Sequence, residues 1–236
     1  MIIAGLQKNS LVDYRGKVAA VVFTPYCNFD CYYCHNRMLL ETDREKASYR
    51  TIDEDEVFSF LVKRIGLIQG VVITGGEPTL QKDLSEFIIK VRDMGYPVKL
   101  DTNGGRPDII RKLLNDNLLD AIAMDIKAPI AKYDEICGNP VDVKDIQESI
   151  RLIIGSGIET EFRTTVVPEF SLQDIEDTAR LVKGCDRYVI QQFRRPDNYG
   201  GFADIRNAKK PHSKDFFKKA TEISRQYATE VLTRGV

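Results

Sequence analysis

The sequence predicts an α/β fold, an incomplete (β/α)6 barrel, and two observations predict it. Six runs rich in β-branched and apolar residues are each bounded by Gly, Pro, Asn or charge: Val18 to Thr24, Gly70 to Thr74, Val98 to Thr102, Ala121 to Ile126, Thr160 to Val167 and Tyr188 to Phe193. Segments with helical spacing separate them and follow the last. Strand alternating with helix calls for a parallel sheet with crossover helices. At roughly 30 to 40 residues a unit, six units fill the 236-residue chain. A closed eight-unit barrel takes about 250 residues, and an open doubly wound sheet is the alternative architecture.

The helices follow from periodicity and from start signals. In Asp53 to Leu67 the apolar residues Val57, Phe60, Leu61 and Ile65 recur at three and four, and Asp83 to Met94 repeats this with Leu84, Phe87, Ile88 and Val91. Pro107 to Asn117, Val143 to Ser156, Leu172 to Lys183 and Ser213 to Tyr227 complete the set. Pro107 after a glycine pair, and Ser171 three residues before Asp174, mark helix starts.

At 43% hydrophobic and 29% charged the chain is an ordinary globular one, expected as one domain over 1–236 with its core at about 17–196 and a C-terminal helix and tail at 197–236. Thirty-four basic and thirty-five acidic side chains leave a net charge of −1, so bulk charge draws it neither to nucleic acid nor to an anionic membrane. No apolar run reaches the 18 or so residues of a bilayer span. Met1-Ile2-Ile3 leads into polar Gln7-Lys8-Asn9-Ser10 rather than a signal core, and the expected location is the cytoplasm.

Five cysteines are too few for a disulfide scaffold and read as ligands or buried thiols. Cys27, Cys31 and Cys34 fall within eight residues just after the first strand, whereas Cys137 and Cys185 stand apart and read as buried small residues. In either architecture ligands sit at the carboxyl ends of the strands. Three thiols on one loop can surround one metal centre. Structural zinc wants a fourth protein ligand, and no second pair stands nearby at finger spacing; His35 adjoins Cys34 too closely. A [4Fe–4S] cluster held by three cysteines leaves one iron open.

Other strand ends carry polar residues with both plain and chemical readings. Thr74-Gly75-Gly76-Glu77-Pro78 is a turn, or a place where backbone approaches a ligand beside an acid suited to an ammonium. Asp101-Thr102-Asn103-Gly104-Gly105 and Met124-Asp125-Ile126-Lys127 are helix caps and solvated pairs, or charges buried together with a cation. Arg163 in an apolar strand calls for an ion-pair partner, and Gln191-Gln192-Phe193-Arg194-Arg195-Pro196 closes the last strand.

The C-x3-C-x2-C loop, with Tyr33 before its last cysteine, resembles the signature of the radical S-adenosylmethionine superfamily, whose fold is an incomplete TIM-like barrel. The resemblance implies that S-adenosylmethionine chelates the open iron through its methionyl amine and carboxylate, and that one electron splits it to a 5′-deoxyadenosyl radical. It places Tyr33, Gly75, Gly76, Glu77 and Pro78 at the cofactor, with Glu77 on its amino group. The segments from Asp101, Thr102 and Asn103 and from Asp125 and Lys127 resemble those of glycyl-radical activating enzymes. There the lysine holds the cofactor carboxylate, and the two aspartates and threonine gather around a monovalent cation. Arg163 would face cofactor or substrate and Gln192 the adenosine ribose.

The Gln-Phe-Arg-Pro ending, here with an interposed arginine, and the entry Ser10-Leu11-Val12-Asp13 resemble a branch that activates anaerobic ribonucleotide reductase; Arg15 replaces a usual proline. That branch implies a large reductase subunit as protein substrate, with Asp13 and His35 near its glycine loop. No ferredoxin-like insert follows Cys34, so electrons would come from a flavodoxin or ferredoxin. Activation of another glycyl-radical enzyme such as pyruvate formate-lyase, 7-carboxy-7-deazaguanine synthesis, and a metal-stabilised binding module are the competing readings.

Overall fold

The computed structural model describes residues 1–40, 49–196 and 204–236, so the first residues of the expected tail, 197–203, lie outside it. Eight strands follow one another in chain order in one sheet. They are β1 (Gly5–Ser10), β2 (Ala19–Thr24), β3 (Gly70–Gly75), β4 (Val98–Thr102), β5 (Ala121–Asp125), β6 (Glu159–Val166), β7 (Cys185–Gln192) and β8 (Ala228–Arg234). The helices are α1 (Glu54–Val62), α2 (Leu84–Asp93), α3 (Pro107–Asn115), α4 (Tyr133–Cys137), α5 (Val143–Ile154), α6 (Leu172–Leu181) and α7 (Lys214–Ser224). No helix of the described residues is long and apolar enough to cross a membrane.

The chain divides into two compact units. The first is Met1–Asn28, Asn36–Thr102 and Asp108–Ile122. In it β1 runs antiparallel to β2, and β2, β3 and β4 are parallel, with Ala19 opposite Gly70 and Val71 opposite Val98. Ala19 to Val22 and Val71 to Ile73 are all buried, as strands covered on both faces must be. Val57 and Leu61 of α1 and Leu84, Phe87, Ile88 and Val91 of α2 are buried too, each side chain contributing about 1.5–3 kcal/mol by leaving water.

The second unit is Phe29–His35, Asn103–Pro107 and Ala123–Val236. There β6, β7 and β8 are parallel, with Phe162 opposite Tyr188 and Tyr188 opposite Val231. Ile175 and Ala179 of α6 and Phe217 and Ala220 of α7 are buried. Ser171 and Asp174 form a reciprocal capping box at the start of α6.

All six expected strands and six expected helices are present, with shifted ends. Helix α1 stops at Val62 rather than Leu67, because Gly66 turns the chain at a φ of +82° and leaves Ile65 and Leu67 exposed. Strand β7 starts at Cys185, three residues before the expected Tyr188. Its Asp186-Arg187 looks like a loop, yet Arg187 pairs with Glu159 of β6 and Glu230 of β8. Strands β1 and β8 and helix α4 were not expected from the sequence. The first lacks a period-2 apolar pattern, the second follows α7 after only Arg225 to Tyr227, and the third is one short turn.

Candidate active site

Within the first unit the glycine pair has a definite physical job. A Cβ on Gly76 would stand 2.0 Å from the carbonyl oxygen of Tyr26, and one on Gly75 2.3 Å from that of Thr24. The backbone that approaches is therefore the chain leaving β2, not only a ligand. Gly76 N–H donates to Thr24 O at 2.8 Å and Glu77 N–H to Tyr26 O at 2.7 Å, while Gln81 Nε2 donates to Pro25 O at 3.2 Å. These bonds hold Tyr26 at a φ of +70°, immediately before Cys27. The Gly-Gly-Glu-Pro turn is thus the anchor for the start of the cysteine loop.

Glu77 is fully buried. Its Oε1 accepts from Thr79 N–H at 3.1 Å, Thr79 Oγ1 at 2.6 Å and Thr102 Oγ1 at 2.7 Å. One carboxylate oxygen thereby caps the turn at Pro78 and ties it to the end of β4. Asp101 pairs with Lys99 Nζ at 2.7 Å, and the same ammonium donates to the Asp13 carbonyl at 2.6 Å. The Asp13 carboxylate accepts from Ser10 Oγ. Lys99, read from sequence only as a strand residue, fixes the entry loop. The signal was there: Lys99 and Asp101 are two apart on a strand and so share a face.

The second unit holds the remaining candidates. Asp125 accepts from Arg163 Nε at 2.7 Å and from Lys127 Nζ at 2.9 Å. Burial opposes the charge of Asp125, but the Arg163 guanidinium and then the Lys127 ammonium outweigh it and hold the carboxyl well below the usual range. Burial alone would weaken the Lys127 ammonium; Asp125, with lesser help from Tyr33 and Cys31, keeps it charged. Asn103 Oδ1 accepts from Gly105 N–H at 2.8 Å, an Asx turn. His35 is exposed.

Of the buried side-chain polar atoms without a hydrogen-bond partner among the described residues of this unit, two belong to expected cofactor residues. They are Oη of Tyr33 and Oε1 of Gln192, whose Nε2 donates to His212 O at 2.7 Å. Burial pushes the Tyr33 phenol well above its ordinary value, so it is a donor, and Gln192 Oε1 is an acceptor. An orphaned buried polar atom costs about 1–3 kcal/mol, a cost that a polar ligand removes on binding.

The three groups expected around a monovalent cation each have another partner: Asp101 has Lys99, Asp125 has Lys127 and Arg163, and Thr102 has Glu77. Both acids are already neutralised by side chains.

Cys27, Cys31 and Cys34 are in no disulfide; Cys31 is buried and the others are partly buried. The Cys31 thiol is drawn below its ordinary value, first by a hydrogen bond from Cys137 and against the effect of burial. Thiolate-prone sulfur, a held ammonium and orphaned polar atoms are a donor set that suits an iron–sulfur cluster with a polar cofactor. Among the described residues no group of three or more His, Cys, Asp or Glu is gathered in the geometry of an ion site. The assignment of all three thiols to one centre therefore rests on the loop motif.

Residues 21–182 match the model of the radical SAM superfamily. The chain is 35% identical over 242 residues, spanning 100% of its own length and 96% of the relative's, to a protein of Methanocaldococcus jannaschii named, provisionally, a glycyl-radical enzyme activating enzyme. It is 30% identical over 181 residues, 70% of each chain, to the 7-carboxy-7-deazaguanine synthase of Thermococcus kodakarensis. Among solved structures, Streptococcus suis SuiB bound to S-adenosylmethionine superposes with a TM-score of 0.66 at 15% identity, over 91% of this chain and 52% of that one. That last likeness concerns the fold alone, since this chain spans about half of SuiB.

Proposed function

We propose that this chain, which belongs to the radical SAM superfamily, is an activating enzyme that installs a glycyl radical on the large subunit of an anaerobic ribonucleoside-triphosphate reductase. Membership makes it a radical SAM enzyme and implies a [4Fe–4S] cluster and S-adenosylmethionine. One observation carries the activase reading: the likeness to the M. jannaschii protein runs the whole length of the chain. The endings at Gln192-Phe193-Arg194-Arg195-Pro196 and the entry at Asp13 support the choice of reductase.

Cys27, Cys31 and Cys34 would hold the cluster, with the Gly75-Gly76 turn fixing the start of their loop. When bound, cluster and cofactor together supply one electron and the carbon-centred radical that takes a glycine α-hydrogen. The chain's residues bind and orient. Lys127, kept charged by Asp125, takes the cofactor carboxylate, and Tyr33 and Gln192 offer their orphaned atoms to its polar groups. Glu77, Pro78, Thr102 and Asn103 shape the turns, and Arg163 braces Asp125. Lys99 balances the charge of Asp101. Asp13 and His35 face the protein substrate, and a flavodoxin or ferredoxin donates the electron.

Reduced protein incubated anaerobically with S-adenosylmethionine and the reductase is expected to give a glycyl doublet in electron paramagnetic resonance. A silent spectrum from protein with a reducible cluster would refute the assignment. The likeness to a 7-carboxy-7-deazaguanine synthase favours a second reading; cofactor cleavage driven by a carboxypterin without any protein substrate would establish it. Pyruvate formate-lyase, tried in place of the reductase, separates the two activase readings.

A further inference from the structure

The short 3-10 turn Ile205–Ala208, in the stretch that the sequence offers only as a tail, lies against the usual preference: Ile205 is 87% exposed while Asn207 is buried. The hydrophobic effect therefore gives this turn little hold. Polar contacts hold it instead, and they meet on Tyr32, which stands between Cys31 and Cys34. Asn207 Nδ2 donates to the Tyr32 carbonyl at 3.0 Å, across 175 residues of chain. The Arg206 guanidinium lies over the Tyr32 ring, 3.9 Å from its centroid. A forked pair with Asp204, Nε to Oδ1 at 2.9 Å and Nη2 to Oδ2 at 2.7 Å, fixes the plane of that guanidinium. Tyr32 Oη donates to Glu169 Oε2 at 2.7 Å, and Lys209 Nζ, just past the turn, reaches Glu169 Oε1 at 2.9 Å. The carbonyl, ring and hydroxyl of one tyrosine are all held.

We infer that Asn207 is a positioning residue: by holding the Tyr32 carbonyl it fixes the peptide at the centre of the Cys31–Cys34 turn in the orientation that binds the cluster. The inference rests on the cluster of the proposed function. Cys34 N–H donates to Cys31 O at 3.0 Å, so Tyr32 and Tyr33 are the central pair of a tight turn. The Tyr32 carbonyl belongs to the peptide between them, and the two common turn types differ by a flip of that peptide. A flip would redirect the chain on either side, where two thiols must meet one cluster. Fixing the peptide beforehand removes conformational freedom that metal binding would otherwise have to remove. Stability alone does not account for Asn207. Its Oδ1 is buried without a partner, and a stranded buried acceptor costs at least as much as one hydrogen bond gains. The amide contributes position rather than net folding energy.

The test compares full-length wild type with Asn207→Ala and Asn207→Asp, both cluster-free and after anaerobic reconstitution. Aspartate keeps the size of the side chain and loses the donor. Amide hydrogen exchange across residues 31–34 and melting temperature are measured on the cluster-free proteins, and release of iron to a chelator is timed on the reconstituted ones. In both variants exchange across the turn is expected to speed up about tenfold, the worth of one good hydrogen bond. Iron leaves faster in step, while the alanine variant melts close to wild type. Wild-type exchange and iron release in the alanine variant overturn the inference. A lower melting temperature with exchange raised along the whole chain also overturns it, since Asn207 would then be a packing residue. An aspartate variant that matches wild type in both readings shows that the donor is not what counts, and overturns it too. A wild-type protein that assembles no cluster overturns the proposed function instead.

Discussion

The hydroxyl of Thr102 donates to Oε1 of Glu77 at 2.7 Å, and both side chains are buried. This bond joins the turn after β3 to the end of β4, two places that the sequence marks as ligand-facing. Thr102→Val keeps the shape and removes the donor. It is expected to lower the unfolding free energy by about 1–3 kcal/mol in urea titration of the cluster-free protein, whereas Thr102→Ser stays close to wild type.

Gly76→Ala puts a methyl group 2.0 Å from the Tyr26 carbonyl, and backbone rather than a side-chain tip must give way. The expected loss is about 1–3 kcal/mol, seen as a lower melting temperature. Because the same backbone leads into Cys27, iron uptake on reconstitution falls as well. Gly16→Ala, at an open position with nothing within 4 Å of its Cβ, controls for glycine strain alone and leaves iron uptake unchanged.

Asp125 pairs with both Arg163 and Lys127. Asp125→Asn removes the carboxylate that both cations share and is expected to cost about 3–5 kcal/mol. The folded-state value of this carboxyl is depressed, so its stabilisation is complete above the unfolded value of 3.8 and is lost as pH falls through the lower folded value. Melting temperature against pH on cluster-free protein therefore shows an acid limb in wild type that is shallower in Asp125→Asn.

Tyr33→Phe removes a buried hydroxyl that has no partner in the free protein. Cluster-free protein is expected to be as stable as wild type or slightly more so. Affinity for S-adenosylmethionine, measured by titrating the reconstituted protein, falls about tenfold, the worth of one good hydrogen bond. A variant that loses stability and binds the cofactor normally would place Tyr33 in the core alone.

Sequence alone reached the alternation of strands and helices because buried parallel strands such as Val71 to Ile73 and amphipathic helices such as α2 carry their period openly. It missed β1 and β8, whose polar residues carry no strong apolar pattern, and it clipped β7 at a charged pair that sits among neighbouring strands. The cysteine loop was plain from its spacing. Partnerships were not. That Glu77 spends Oε1 on Thr79 and Thr102, that Lys99 answers Asp101 and the Asp13 carbonyl, and that the Cys137 carbonyl takes the Asp30 N–H all depend on the folded neighbours. The glycine pair was found for its motif, while its nearest cause is the crowding of Thr24 and Tyr26.

The most direct measurement is electron–nuclear double resonance on the reduced, reconstituted protein with S-adenosylmethionine labelled with nitrogen-15 at the methionyl amine. A nitrogen coupling from the cofactor, present in wild type and absent in Cys31→Ala, is the expected result for three protein thiolates and one open iron. A wild-type cluster that binds iron fully yet shows no coupling to the labelled amine would contradict it.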